Sequence, residues 1–239
     1  MSRRRFYVPP EQIHDGVAEL PPDQAHRLRH VLRLRKNHEV EVLDGRGAVY
    51  LGRVHAVGRQ LCVVDLKQLT GPEPSTPALI LAPSVIKPAR FEWMLEKATE
   101  LGVDEFMPLI TKHSDFHISE ENLRTRLERW RRIIRQACEQ CGRAVVPAIR
   151  TPVLFPDFLK LDELSRFERL LCYEKGGTQL SRGAPAGPIA LCIGPEGGWD
   201  SSEIEAALRA DWKLVSLGRS TLRAETAALA AIALIRIAD

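Results

Sequence analysis

Two turns near the end of the chain decide its fold: Ile193-Gly194-Pro195-Glu196-Gly197-Gly198 and Leu217-Gly218-Arg219-Ser220-Thr221-Leu222-Arg223-Ala224-Glu225-Thr226. Each turn connects a predicted strand to a predicted helix. Glycine has no Cβ, so it can take positive φ and let a ligand approach main-chain N–H and C=O groups. Two such turns at the strand ends of one sheet predict a single small-molecule pocket built mainly from backbone.

Working back from these turns, apolar strand-like runs alternate with helical patterns. The six runs are Leu79–Ala82, Phe106–Ile110, Val145–Ile149, Leu170–Tyr173, Ile189–Ile193 and Leu214–Leu217. Most of them are apolar on both faces, which is typical of a buried parallel sheet covered by helices. The pattern predicts an α/β domain.

Helical periodicity is clear between these strands. One apolar stripe runs from Phe91 to Leu101 and a second from Leu123 to Cys141. The segment from Ala224 to Ala238 is apolar on nearly every side, so we expect a helix buried against the sheet or a second subunit.

The first 70 residues have a different character. Short strands are predicted at residues 39–43, 48–54 and 61–66, with Asp44-Gly45-Arg46-Gly47 as a hairpin turn. A helix is predicted to begin at Asp23. The proline-rich run from Thr70 to Pro77 has the composition of an interdomain linker.

Composition limits the class of protein. The chain has 239 residues, 44% hydrophobic and 27% charged, which predicts a compact globular protein of one large or two modest domains. No stretch approaches the roughly 20 apolar residues that cross a bilayer, so we expect a cytoplasmic protein with no membrane partner. The five cysteines lack a framework spacing and are expected to be reduced.

The basic excess lies at the N-terminus. Residues 1–70 hold 12 Lys/Arg against 8 Asp/Glu, whereas residues 71–239 hold 22 against 23. The run Arg3-Arg4-Arg5 is either an arm that contacts RNA phosphates or a solvated terminus. The arginines between residues 124 and 135 have the same two interpretations, with a solvated helix face favoured.

The first glycine turn has distinct chemistry. It runs into Asp200 and Glu203, which have capping-box spacing at a helix start. The loop lacks the lysine of a phosphate-binding loop, and Glu196 would repel an anion, so a cationic or neutral ligand fits better. As a plain tight turn it would need no ligand.

Other candidate chemistry is weaker. Arg223 and Glu225 follow the second turn, either as functional groups or as an exposed charge pair worth about 0.5 kcal/mol. Cys138 and Cys141 have no second pair, so no metal site is expected. No Ser-His-Asp order or nucleophile elbow is present.

Four motifs, in order along the chain, resemble those of a known family. They are Arg90–Val103, Arg129-Trp130 through Glu139-Gln140-Cys141-Gly142-Arg143, Ile193–Gly198, and Leu217-Gly218 with Leu222–Ala227. Together with Arg5–Val8 and His26–Arg33 they make the chain similar to the ribosomal small-subunit RNA uridine-N3 methyltransferases (RsmE family), of the SPOUT class. One departure is Lys112-His113-Ser114-Asp115, where the family more often has an Arg-Ser pair, so we assign no role to that loop.

The resemblance implies a PUA-like β-barrel RNA-binding domain at residues 1–72 and an α/β SPOUT trefoil-knot methyltransferase domain at residues 73–239. It also implies a homodimer, S-adenosylmethionine as donor, and 16S rRNA, in the assembled small subunit, as substrate. Periodicity does not predict the knot, and general topology rules argue against one.

Residues are assigned to three roles, the donor-binding residues by similarity, the RNA-binding residues from their charge and the catalytic residues from the chemistry of the implied reaction. The donor would be held by Leu171, Tyr173, Glu174, Gly194, Pro195, Glu196, Gly197, Gly198, Leu217, Gly218, Leu222, Arg223, Thr226 and Ala227. RNA would be contacted by Arg3, Arg4, Arg5, His26, Arg29, His30 and Arg33. Arg223 and Glu225 are the catalytic candidates.

The implied reaction needs a reactive N3 atom. Uracil N3 carries a proton and is a poor nucleophile until the proton leaves or the charge is stabilised, for which Arg223, Glu225 and Glu196 are candidates. Two alternatives remain: a SPOUT enzyme acting on another RNA position, such as a ribose 2′-OH, or a non-catalytic RNA-binding assembly factor.

Overall fold

The computed structural model describes residues 4–57, 60–70, 78–114, 120–181 and 187–236. The chain divides into two compact units. The first unit comprises residues 1–74 and 135–146, and the second comprises residues 75–134 and 147–239. The predicted linker lies largely outside the described residues, so the domain boundary at residues 72 and 73 stays a prediction.

The first unit is a six-stranded sheet with a short helix. Its elements are β1 (Arg5–Tyr7), β2 (Ile13–His14), β3 (Val17–Glu19), α1 (Pro22–His26), β4 (Glu39–Leu43), β5 (Val49–Val57) and β6 (Gln60–Thr70). The strand order is β1-β4-β5-β6-β3-β2, with β1 parallel to β4 and the other pairs antiparallel. A π-helical turn over Arg27–Val31 extends α1.

The predicted hairpin of the first unit is confirmed. Strands β4 and β5 pair antiparallel with Leu43 opposite Val49. Asp44 forms the turn because its Oδ1 accepts hydrogen bonds from the N–H groups of Arg46 (2.7 Å) and Ala48 (3.0 Å). The predicted helix begins at Pro22, one residue before Asp23, because proline has no N–H and suits the first helical position.

A buried carboxylate stabilises the first unit. The side chain of Glu139 is fully buried, accepts a hydrogen bond from the Tyr7 N–H (2.9 Å), and pairs with the Arg27 guanidinium. Burial raises the pKa of Glu139, against the lowering effect of these partners. A buried carboxylate of this kind is tolerated only while its hydrogen-bond donors remain in place.

The second unit contains the predicted α/β architecture. Its strands are β7 (Leu79–Pro83), β8 (Glu105–Phe106), β9 (Leu109–Ile110), β10 (Ala148–Ile149), β11 (Val153–Leu154), β12 (Glu168–Cys172), β13 (Thr178–Gln179), β14 (Ile189–Ile193) and β15 (Lys213–Ser216). Its helices are α2 (Pro88–Glu100), α3 (Glu120–Cys141), α4 (Phe155–Phe158), α5 (Ser201–Arg209) and α6 (Ala224–Arg236), with the end of α3 grouped with the first unit.

The main sheet of the second unit is parallel. Seven strands lie in the order β10-β8-β7-β14-β12-β15-β13, and each described pairing is parallel. The residues of β7 and β14 are all buried, which explains their continuous apolar runs. Since parallel strands end at the same edge, the loops after β12, β14 and β15 are neighbours.

Two predicted strands are shorter than expected for the same reason. The run Phe106–Ile110 is divided at Met107-Pro108 into β8 and β9, and the run Val145–Ile149 contributes only β10, after Pro147. Proline cannot donate to a sheet ladder, so it interrupts both strands.

The C-terminal helix lies against the sheet. Helix α6 packs against α2, β7 and β14, with its core side formed by Ala228, Ala231, Ile232 and Ile235. Among the described residues, no helix combines the length and apolarity that a membrane crossing requires.

Candidate active site

Three loops enclose a cavity at the carboxyl edge of the main sheet. They follow β12, β14 and β15, which are adjacent in the sheet, and the cavity has a volume of about 540 Å³. Its walls are formed by Arg90, Cys172, Tyr173, Glu174, Lys175, Ile193, Gly194, Pro195, Glu196, Gly197, Gly198, Trp199, Val215, Ser216, Leu217, Gly218, Ser220, Thr221, Leu222, Arg223, Ala224 and Ala227. The volume lies within the range of small-molecule sites.

The fold brings most of the predicted donor-binding residues to this cavity. Leu171 and Thr226 are the exceptions, since Leu171 is buried in the core and Thr226 is exposed on α6. Of the catalytic candidates, Arg223 lines the cavity, whereas the buried Glu225 does not. Arg90, in the first turn of α2, also lines the cavity, although the sequence predicted no role for it in the site.

The first glycine loop is shaped by packing within the protein. A Cβ on Gly194 would lie 2.7 Å from Trp199 Nε1, and a Cβ on Gly198 would lie 3.0 Å from Glu174 Oε1. The Trp199 ring is held in place because Nε1 donates a hydrogen bond to the Cys172 carbonyl (3.0 Å). The missing Cβ atoms make room for the Trp199 and Glu174 side chains, while the ligand contact that the sequence predicts for these glycines stays a prediction.

The second turn is more open. Gly218 has φ +121°, and in the described part of the chain no atom outside its immediate neighbours lies within 4 Å of the position that its Cβ would occupy. This conformation favours glycine, and it leaves the backbone beside the cavity uncovered. Here the structure agrees with the expected backbone surface.

The capping box at the start of α5 is confirmed. Asp200 Oδ1 accepts from the Ser202 N–H (3.0 Å), and Glu203 Oε2 accepts from the Asp200 N–H (3.0 Å). Lys112 Nζ adds a hydrogen bond to Asp200 Oδ1 (2.8 Å), and this bond is the main cause of a lowered pKa of Asp200. The helix start is thus satisfied by protein groups.

The loop to which the sequence gave no role contacts the glycine loop. His113 Nδ1 lies 3.0 Å from the Gly198 carbonyl oxygen, and a Cβ on Gly197 would lie 3.0 Å from His113 Cβ. The Lys112 N–H also donates to Glu203 Oε1 (3.0 Å). The described residues of this loop therefore support the glycine loop from outside the cavity, while Asp115 lies outside the described residues.

One arginine joins two carboxylates at the cavity. Arg90 Nη1 donates to Glu196 Oε1, and Arg90 Nε lies 3.8 Å from Glu225 Oε1. Glu225 Oε2 is buried and has no hydrogen-bond partner among the residues that the structure describes. Arg223 is exposed and has no ion pair in the described part of the chain.

The cavity suits S-adenosylmethionine. That donor combines a sulfonium, an ammonium, a carboxylate and an adenine ring. The walls provide Glu174 and Glu196 for positive groups, Lys175 and Arg223 for a carboxylate, and the open backbone at Gly218. Such mixed walls match a ligand that has both charges and an apolar ring.

The predicted RNA residues divide into two groups in the first unit. Arg4 donates to the Leu32 carbonyl (3.0 Å), and Arg5 donates to Glu41 Oε2 (3.0 Å) and to the Gln140 carbonyl (3.2 Å). Arg3 lies outside the described residues. A second group is exposed between the end of α1 and the residues after the π-helical turn, and consists of His26, Arg29, His30 and Arg33.

Comparisons with known proteins agree with this architecture. Residues 73–236 match the family profile of an RNA methyltransferase domain, and residues 20–67 match that of an RNA methyltransferase PUA domain. The chain is 35% identical to ribosomal RNA small subunit methyltransferase E from Synechocystis sp., covering 97% of this chain and 76% of the relative. The corresponding protein of Rickettsia conorii is 29% identical, covering 99% and 96%.

Solved structures show the same similarity. Ribosomal RNA small subunit methyltransferase E from Neisseria gonorrhoeae, bound to S-adenosylmethionine, is 30% identical with a TM-score of 0.86, covering 99% of this chain and 98% of that one. A Legionella pneumophila protein described as a methyltransferase, also solved with the bound cofactor, is 28% identical with a TM-score of 0.90, covering 100% and 98%. The predicted fold class is confirmed: an α/β methyltransferase domain follows a PUA domain. The chain belongs to the ribosomal RNA small subunit methyltransferase E family.

Proposed function

We propose that this protein uses S-adenosylmethionine to methylate N3 of a uridine in 16S rRNA of the small ribosomal subunit. One observation carries the proposal: the loops after β12, β14 and β15 converge on a cavity of about 540 Å³, in a chain whose relatives have been solved with that donor. When bound, the donor supplies an electrophilic methyl group on a sulfonium.

Different walls of the cavity suit different parts of the donor. The backbone around Gly218 and the apolar side chains of Leu217, Leu222 and Ala227 suit an adenine ring. Glu196 lies in the first loop with 34% of its side-chain surface exposed, and its negative charge favours a sulfonium over an anion. Binding of this kind places the methyl group and the base close together, and proximity supplies much of the acceleration.

The chain's charged groups then act on the base. Loss of the N3 proton leaves negative charge on N3, O2 and O4 of uracil, and we assign its stabilisation to Arg223, which lines the cavity without an ion pair among the described residues. Glu174 and Glu196 both line the cavity, and we assign to Glu196 the orientation of groups around the base. Glu225 is buried and is proposed to act from behind the cavity wall.

RNA recognition belongs to both units. N3 is on the Watson–Crick edge, so the target uridine must be unpaired or flipped out before it can react. We propose that exposed cations of the first unit contact neighbouring phosphates, namely His26, Arg29, His30 and Arg33. Arg4 and Arg5 already donate hydrogen bonds within that unit, so a smaller contribution to RNA binding is expected from them.

The proposal also covers the oligomeric state of the protein and its location in the cell. We infer a homodimer from half-buried apolar residues of α6, including Leu229, Ala230, Ala233 and Leu234, that a second subunit would cover. We also propose that the substrate is 16S rRNA in the assembled small subunit, which implies a location in the cytoplasm with ribosomes.

The experiment identifies the modified atom. Purified protein is incubated with labelled S-adenosylmethionine and small subunits from a strain lacking the modification, and the digested RNA is analysed by mass spectrometry. Labelled 3-methyluridine is the expected product. Label at another atom, such as a ribose 2′-oxygen, would show a methyltransferase that acts on a different RNA position, and the assignment of uridine N3 would be wrong. Donor binding without transfer would instead favour an RNA-binding assembly factor.

A further inference from the structure

Arg90 occupies a position that its own helix does not favour. It lies in the first turn of α2, which follows Lys87 and contains no acidic residue. The N-terminal end of a helix carries partial positive charge, so an arginine there is repelled. Residues that break a local rule in this way concentrate at functional sites.

Two carboxylates from different elements hold this arginine. Glu196, from the loop after β14, accepts a hydrogen bond from Nη1, and Glu225, from the first turn of α6, lies 3.8 Å from Nε. A guanidinium has five N–H donors in a rigid plane. The Nη2 group of Arg90 donates to no acceptor in the described part of the chain, and the side chain is 35% exposed.

Glu225 is placed to act through Arg90. It is buried, it does not line the cavity, and Arg90 is its ion-pair partner among the described residues. Within the described ranges its Oε2 accepts no hydrogen bond, and buried ion pairs with unsatisfied atoms add little to stability. A role in orienting the guanidinium explains why a carboxylate is retained there.

We propose that Arg90 is a catalytic residue that donates a hydrogen bond from Nη2 to a carbonyl oxygen of the target uracil, and that Glu225 is a positioning residue for Arg90. The inference rests on the proposed function. When the N3–H bond breaks, the proton passes to solvent water and its electron pair stays on uracil, shared by N3, O2 and O4. Arg90 and Arg223 both line the cavity, so each of the two carbonyl oxygens has a cation available.

The test separates catalysis from binding and folding. Arg90→Gln, Arg90→Lys, Glu225→Gln and the Arg90→Gln/Glu225→Gln double variant are compared with the wild-type protein. The matched control is Arg129→Gln, because Arg129 of α3 pairs with Glu92 of α2, the helix that contains Arg90, and does not line the cavity. Turnover is measured at saturating donor and RNA, donor affinity by calorimetry, and folding by thermal melting.

We expect Arg90→Gln to lower kcat about 100-fold, the size of effect found when one charge-stabilising donor is removed, with donor Kd changed less than about threefold. Arg90→Lys should recover part of the loss because it keeps the charge. Glu225→Gln should lower kcat about tenfold, and the double variant should be no slower than Arg90→Gln alone. Arg129→Gln should stay within about twofold of wild type.

Three results would overturn the assignment. They are wild-type kcat in Arg90→Gln, a loss of donor affinity as large as the loss of kcat, and multiplicative effects of the two single substitutions in the double variant. Failure of the wild-type protein to label uridine N3 would refute the proposed function instead, before any variant is compared.

Discussion

Replacing Gly194 by alanine tests why the first glycine turn contains glycine at all. The new Cβ would lie 2.7 Å from Nε1, 2.9 Å from Cε2 and 3.0 Å from Cδ1 of Trp199. The indole is 5% exposed and bonded to the Cys172 carbonyl, so it has little freedom to move away. Gly194 does not have positive φ, and the substitution is therefore a steric change without backbone strain.

The expected cost has two parts. Overpacking a well-packed core costs roughly 1–3 kcal/mol, and a displaced indole would leave a buried donor unpaired at about 1 kcal/mol or more. We expect Gly194→Ala to lower the free energy of unfolding of the second unit by about 2–4 kcal/mol. For a unit of this size, each kcal/mol corresponds to about 2–4 °C in Tm.

Thermal melting and donor calorimetry are the assays, and Gly176→Ala is the control. Gly176 lies in the loop after β12, does not have positive φ, and a Cβ there meets no atom within 4 Å. Its replacement should change stability by less than about 1 kcal/mol, in either direction. If Gly194→Ala melts like wild type but binds the donor more weakly, glycine at this position serves the ligand and our packing argument is wrong.

Three further perturbations test the site and the fold. Arg223→Ala should lower kcat, measured at saturating donor, about 100-fold or more; unchanged methyl transfer with donor binding retained would remove Arg223 from the mechanism. Glu139→Ala should destabilise the first unit by about 2–3 kcal/mol in urea unfolding, because the Tyr7 N–H and Arg27 lose their partner; a loss below about 0.5 kcal/mol would contradict this. The pKa of Asp200 is lowered in the folded protein, so its contribution to stability is present above the unfolded pKa of about 3.9 and is lost as pH falls below it. Asp200→Asn should therefore melt below wild type at pH 6, with the difference shrinking below about pH 4, and a gap independent of pH would exclude the charge as its cause.

Periodicity was a good guide where elements are long or fully buried. Strand β14 has the bounds that its apolar run predicts, and the stripe from Phe91 to Leu101 corresponds to α2. Strand β13 was not predicted, because both of its residues are exposed and carry no apolar pattern. Its pairing with β15 depends on the position of that strand in the folded sheet.

The candidate site was predictable to the level of its loops. Glycine turns after strands indicate a pocket, and the family resemblance, confirmed by the comparisons, indicates its donor. The sequence placed Arg90 in a family motif but gave no direct sign of its place at the cavity, because its partners Glu196 and Glu225 are far from it along the chain. A weak signal existed, since Arg90 begins a helix that lacks an acidic first turn.

By itself, the sequence determined the class of fold, the turns that form the cavity and the family, because these depend on local patterns and on motifs in order along the chain. Only the tertiary structure decided that Trp199 requires Gly194, that His113 supports the glycine loop, and that one guanidinium is shared by two carboxylates. These are contacts between residues brought together by strand order in the sheet. Separation along the chain does not predict these contacts, because close packing selects neighbours by shape and charge after the chain has folded.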